Sequence, residues 1–308
     1  MSQTPATLLS LLEACPHAQL CHSRDLYPEA SGAGLDLIQV QTELFNAIIS
    51  PYGAQLLSFT PRDARDLLWV SPNCRFEAGS ALRGGIPLCL PWFGAHPTDA
   101  SKPNHGFARN RFWELTTIAS AGEECRLSFA LQHPGDQLFA QAFSAELSIH
   151  MAEHLQLNLA VSNTSEQTLD CSWVLHSYFA TGPIDQVQVS GLEGRRYLDK
   201  TQGQTESIQT GKVTFNGEID RVYPGVDNPV QIHSHNDITI EHQGCPSVVV
   251  WNPGAELAAR IGDIGPGNEH GFVCVERGAC ASDIWQLAPG EQRRASKFIR
   301  PLISQGLA

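Results

Sequence analysis

Charge is scarce in this chain. Only 17% of its 308 residues are Asp, Glu, Lys or Arg, and 32 acids against 20 bases leave a formal net charge of −12. Such a surface repels a phosphate backbone, which argues against nucleic-acid binding. The nine cysteines contain no Cys-x-x-Cys pair. Cys15/Cys21 and Cys274/Cys280 are each six apart, a spacing that matches no common zinc pattern. Cys89, Cys171 and Cys274 stand in apolar runs and read as small buried hydrophobes. No run reaches the apolar length of a membrane span. The leucine-rich N-terminal stretch follows no basic region and is cut by Glu13, so it does not read as a signal peptide. These features lead to the expectation of a reduced, cytoplasmic protein without a membrane partner. Also missing are a phosphate-binding Gly-x-x-x-x-Gly-Lys-Ser/Thr run and a nucleophile elbow around Ser177. There is no regular β–α alternation, fixed-period repeat or linker to a second domain.

Turn formers are plentiful, with 26 glycines and 19 prolines, which suits a β protein of many short strands. Residues 1–34 read as an N-terminal arm. Thr4 would cap a short helix with Pro5 in its first position, and Leu8, Leu9, Leu11 and Leu12 follow. Residues 35–303 read as a single all-β domain. Apolar or alternating segments are expected as strands at 35–41, 45–50, 54–60, 66–70, 112–118, 126–132, 169–179, 186–190, 213–215, 230–235, 238–242, 248–251, 271–276, 282–287 and 293–299. Residues 256–261 read as the one internal short helix. The clearest hairpin is 143–161. Pairing Met151 with Leu155 keeps one face apolar and predicts a three-residue loop, Ala152-Glu153-His154, with His154 near the left-handed region. The expected architecture is one large antiparallel β sandwich.

The least ordinary stretch is Arg83-Gly-Gly-Ile-Pro-Leu-Cys-Leu-Pro-Trp-Phe-Gly94, followed by Asn104-His-Gly-Phe-Ala-Arg-Asn-Arg111. Glycine lets a backbone approach a ligand closely, and proline fixes a loop's path. Between Glu77 and Glu114 the only acid is Asp99, against Arg83, Lys102, Arg109 and Arg111. In so acidic a chain this suggests a small anion held by arginine forks and backbone N–H groups. The plainer reading is a buried turn-rich loop with solvated arginines. Two further residues interrupt apolar strands: His176 in Trp173-Val-Leu-His-Ser-Tyr-Phe179 and Glu276 in Phe272-Val-Cys-Val-Glu-Arg277. A buried carboxylate has a raised pKa suited to a general base, and histidine is a natural complementary acid. Their alternatives are a core or surface histidine and an ordinary ion pair with Arg277. Asp220 could accept hydrogen bonds from a polyol or pair with Arg221. Trp92, Phe107 and Trp251 could be sugar platforms or core. His233 and His235 share one side of a strand, but no third metal ligand is implied nearby.

Six short motifs in this order resemble one family. They are Arg-Gly-Gly-Ile-Pro with Pro-Trp-Phe-Gly, His-Gly-Phe-Ala-Arg, Leu-His-Ser-Tyr-Phe, Glu-Ile-Asp-Arg-Val-Tyr, Trp-Asn-Pro and Val-Cys-Val-Glu. Over about residues 36–302 the chain resembles the glucose-6-phosphate 1-epimerases, or hexose-6-phosphate mutarotases, of the aldose 1-epimerase superfamily. The resemblance implies a galactose-mutarotase-like antiparallel β supersandwich. It implies an isomerase that interconverts the α and β anomers of a hexose 6-phosphate without metal or cofactor. It makes Glu276 the general base and His176 the general acid. Asp220, His105 and Trp251 would contact the sugar, and Arg83 and Arg109 would hold the 6-phosphate. A non-catalytic carbohydrate-binding protein and a mutarotase for free aldoses remain the alternatives. The family often has a second aromatic after Trp-Asn-Pro, where this chain has Gly254, which could loosen one wall of a pocket. A monomer with a sugar-phosphate partner is expected.

Overall fold

The computed structural model describes residues 5–302, so the expected helix cap at Thr4 and the domain end at residue 303 lie outside the described residues. The first helix, Pro5–Glu13, buries Leu8 and Leu12, four residues apart on one face. The arm then adds a strand: Ala18–His22 pairs with Asp36–Gln41 at the edge of a four-stranded sheet completed by Phe45–Ser50 and Gln55–Pro61.

Two large antiparallel sheets build the body. The nine-stranded sheet runs Val213–Thr214, Gln188–Ser190, Val230–His233, Ile238–Gln243, Gln292–Pro301, Leu155–Asn163, Phe143–Met151, Glu124–His133 and Glu114–Ala121. The eight-stranded sheet runs Thr205–Ile208, Arg196–Asp199, Ile219–Tyr223, Ser247–Asn252, Phe272–Ala279, Trp173–Leu175 and Leu88–Cys89, with Tyr178–Ala180 also paired to Phe272–Ala279. Leu147, Leu157 and Ile299 of the first sheet share one core with Val248, Val250, Val273 and Val275 of the second. This is the expected all-β sandwich, and alternation along each strand supplies its two inner faces. Among the described residues no helix is long and apolar enough to cross a membrane. All nine cysteines are free, and all but Cys21 are buried.

The hairpin register pairs Met151 with Leu155, and the Ala152 N–H donates to the His154 carbonyl at 3.0 Å. That bond closes the turn without a left-handed His154. Among the described residues only Ala54, Asp63, His105, Gln204 and Ala281 are non-glycine residues at positive φ. The strand expected at 66–70 is reduced to single bridges at Leu68 and Val70. Asp66 Oδ1 takes the N–H groups of Phe59 and Leu68, both at 2.9 Å, and turns the chain there. The run 169–179 is broken into three strands, and the break at 176–177 positions the site described below.

The glycines of the Arg-Gly-Gly loop permit close backbone packing rather than approach to a ligand. A Cβ on Gly84 would lie 2.4 Å from the Trp69 carbonyl oxygen, one on Gly85 2.2 Å from that of Leu56, and one on Gly106 2.1 Å from that of Leu90. Gly85 also has φ of 59°. Gly85→Ala therefore meets both backbone overlap and left-handed strain. We expect a loss of about 2–4 kcal/mol in urea unfolding; an unchanged midpoint would show that the loop can relax away from residues 56–57.

Candidate active site on the outer face of the eight-stranded sheet

Strand register assembles the site. Asp220 pairs with Trp251, and Trp251 with Cys274, while Val249 pairs with Glu276. Directly opposed and alternate residues share a face. Asp220, Trp251 and Glu276 therefore point away from the sandwich core. Leu175 pairs with Arg277 and Tyr178 with Cys274, so the same register sets His176 opposite Glu276. The loops carrying Arg83, His105 and Arg109 cross this face. They enclose a cleft of about 270 Å³, just below the roughly 300 Å³ at which small-molecule pockets begin. All seven residues singled out from the sequence line it: Arg83, His105, Arg109, His176, Asp220, Trp251 and Glu276.

Two of them form its floor. Glu276 is 1% exposed and His176 6% exposed. Their Oε1 and Nδ1 atoms lie 3.3 Å apart but are not aligned as a hydrogen bond, and both Glu276 oxygens lack a donor. Burial, reinforced by Asp220, pushes the Glu276 carboxyl well above the usual carboxylate range, against the pull of Lys200, Lys297 and Arg109. Burial also pushes His176 well below the usual imidazole value, helped by the positive charges of Arg109, Arg83 and Lys200. Burial thus opposes the charged form of each group and favours the pair with a single proton, held on Glu276. Tyr178 stacks on the His176 ring at 4.8 Å and 11°, and Trp251 meets it edge-on at 5.8 Å.

His105 has φ of 68°, and its Nδ1 accepts the Gly94 N–H at 3.2 Å. This assigns the ring proton to Nε2. Burial, with Arg109, Lys200 and Arg83 nearby, lowers its pKa to about 3, so it is a neutral donor. Asp220 pairs with Lys200 at 3.2 Å rather than with Arg221, whose carboxylate neighbour is Asp199 at 3.8 Å. Arg83 is ion-paired to Asp263 at 3.1 Å and donates to the Tyr178 hydroxyl at 2.9 Å. Arg109 donates to the Asn104 carbonyl at 3.1 Å. The Nε of each arginine is buried without a partner.

Trp92 and Phe107 are buried in the main core and form no platform. Phe93, with Lys200 Nζ 5.1 Å from its ring centroid, faces the cleft alongside Trp251. Lys200 and Asp263 were not singled out from the sequence; each belongs to an unremarkable polar turn. Gly254 has φ of 60°, and a Cβ there would lie 2.6 Å from the Glu218 nitrogen, so packing against 217–218 excludes a side chain at that place. His176, Cys274 and Glu276 each bring a potential ligand atom within 4.8 Å of the others. Burial and the nearby Glu276 push the Cys274 thiol well above its usual pKa, so an ion binding there would have to displace the thiol proton. His233 instead meets Ser190 at 2.8 Å.

The raised Glu276 pKa has a consequence for stability. The carboxyl is protonated in both folded and unfolded chains below the unfolded value. As pH rises above that value the unfolded chain ionises first, and stability falls until the folded pKa is passed. Glu276→Gln carries no such penalty. Its melting temperature should exceed that of the wild type by about 2–4 °C near pH 8 and converge with it near about pH 4. A wild type that melts higher near pH 8 would contradict the desolvation account.

Residues 36–297 match the family model described as aldose 1-epimerase. A protein from Escherichia coli K12 named "Putative glucose-6-phosphate 1-epimerase" is 34% identical over 275 residues, covering 86% of this chain and 90% of the relative. One of the same name from Salmonella typhimurium is 36% identical over 255 residues, covering 79% and 82%. A crystal structure of a "putative mutarotase" from Salmonella typhimurium superposes with a TM-score of 0.80 at 33% identity, covering 87% of this chain and 90% of that one. The match spans both sheets and every residue lining the cleft, and on it the chain belongs to the aldose 1-epimerase family, isomerases that interconvert sugar anomers.

Proposed function

We propose that the substrate is a hexose 6-phosphate, glucose 6-phosphate foremost, and that Glu276 and His176 are its base and acid. The buried, unpartnered Glu276 carboxylate opposite His176 carries this reading. From the carboxylate–imidazolium form of the pair, equal in net charge to the neutral form that burial favours, Glu276 takes the proton of the anomeric hydroxyl while His176 delivers one to the ring oxygen. The C1–ring-oxygen bond breaks as the C1 carbonyl forms. Rotation about C1–C2 presents either carbonyl face to the C5 hydroxyl. On reclosure His176 recovers the proton from that hydroxyl and Glu276 returns its proton to the carbonyl oxygen. The protons balance within the pair, so the reaction needs no net exchange with solvent. His105 Nε2–H and Asp220 offer a donor and an acceptor to sugar hydroxyls, and Trp251 an apolar wall.

The phosphate assignment draws on Arg109, Lys200 and Arg83 around one small cleft in an acidic chain. Arg83 is partly neutralised by Asp263, and that observation favours the second reading, a free aldose. The two readings separate in the kinetics. Arg109→Ala should raise KM for glucose 6-phosphate about 10–100-fold, the worth of a charge-assisted hydrogen bond, with little change for glucose. Arg83→Ala should act in the same sense. Glu276→Gln should lose nearly all turnover on either sugar. An Arg109→Ala variant with unchanged KM for glucose 6-phosphate would remove the phosphate role; an active Glu276→Gln variant would remove the base.

A further inference from the structure

One buried ionisable group lies behind the acid–base pair rather than in the cleft. Lys297 belongs to Gln292–Pro301 of the nine-stranded sheet, at an inward position between Ala295 and Ile299, and its side chain is fully buried. It crosses the sandwich to the other sheet. Its ammonium donates to Ser177 Oγ at 2.6 Å and to the Val275 carbonyl at 3.1 Å, and lies 5.2 Å from the Phe179 ring centroid. Among the described residues it has no ion-pair partner within 4.0 Å. A buried cation held by neutral acceptors is unfavourable for stability alone.

The sheet register explains what it touches. The ladder on Phe272–Ala279 is continuous to Leu175–Arg277 and resumes at Tyr178–Cys274. In the gap, His176 faces Glu276 on the cleft side, and Ser177 faces Val275 on the core side. The His176 N–H donates to the Pro87 carbonyl at 2.9 Å, so this segment is held from the loop side as well. Lys297 fills the gap from beneath and ties the residues adjacent to both members of the pair.

We propose that Lys297 is a positioning residue for the acid–base pair: it pins Ser177 and Val275 across the break and sets positive charge behind the Glu276 carboxylate. The proposal rests on the acid–base reading above. Burial lowers the Lys297 pKa to about 7, offset in part by Glu276. The other groups around it are Cys274 and Arg277 on the facing strand, Cys245 in the turn between Ile238–Gln243 and Ser247–Asn252, and His242, which pairs with Lys297 on the adjacent strand. Burial holds both thiols protonated and His242 neutral near pH 7, and Arg277 is bound to the Val226 and Asn228 carbonyls. Glu276 is thus the neighbour whose ionisation responds to the lysine's charge.

The test is Lys297→Met in the full chain, assayed with glucose 6-phosphate and with glucose beside the wild type. A folded variant should lose roughly tenfold to a hundredfold in kcat. Its KM should stay within about twofold of wild type. The acidic limb of its pH profile should move up by about one pH unit, because removing the cation eases uptake of a second proton by the pair. A folded variant with wild-type kcat and pH profile would overturn the proposal. If Lys297→Met does not fold, Ser177→Ala decides, since it keeps the lysine but removes one tie. A lower kcat at unchanged KM supports the proposal, and wild-type kinetics overturn it. A wild type inactive on both sugars would defeat the acid–base reading itself, which an active wild type with indifferent variants would not.

Discussion

The site depends on the burial of a carboxylate beside an imidazole with one proton between them. Desolvation opposes the charged form of each, raising Glu276 and lowering His176. The neutral acid with neutral imidazole and the carboxylate with imidazolium have the same net charge. A bound sugar that offers a hydroxyl to one and an ether oxygen to the other can therefore interconvert them without recruiting a solvent proton. An exposed pair would lose this property, because water would set each pKa separately near its ordinary value.

The sandwich supplies the burial and the spacing together. The Phe272–Ala279 strand is buried along its whole length, so a side chain on either face is shielded. Its register with 173–180 sets His176 across from Glu276, and the broken ladder frees their neighbours for other partners. The crossing loops close the outer face, and their glycines are needed because backbone meets backbone there. The same loops bring Arg83, His105 and Arg109 over the pair, where the positive charge of the two arginines helps keep His176 deprotonated.

Much of this was legible in the sequence, for reasons that also explain what was not. A glutamate after Val-Cys-Val and a histidine among Leu, Tyr and Phe are conspicuous because an apolar strand gives them no polar company. The two sheets were legible through alternation, most clearly at 143–161, where the phase of two strands set the loop length. Arg196–Asp199 and Thr205–Ile208 were not visible, since both lie at a polar sheet edge with little buried face to leave a pattern. Lys297 escaped notice because a lysine in an alternating strand reads as an outward residue, and only the register shows that it points inward. Asp263 was hidden differently: the segment 83–111 is poor in acids, but the carboxylate that meets Arg83 arrives from a turn some 180 residues later. The left-handed His154 failed because a backbone bond within the loop closes that turn instead.

The most direct measurement is two-dimensional exchange NMR of the anomeric protons of glucose 6-phosphate, with wild-type protein, as a function of pH. If the pair holds one proton through neutrality, enzyme-dependent exchange should persist from about pH 5.5 to 8, falling only in part as Lys297 loses its proton near about 7. Exchange that instead followed a single titration near about 6.5, the value of an ordinary histidine, would contradict the shared-proton account. No exchange from folded protein would contradict the assignment of the pair to anomer chemistry.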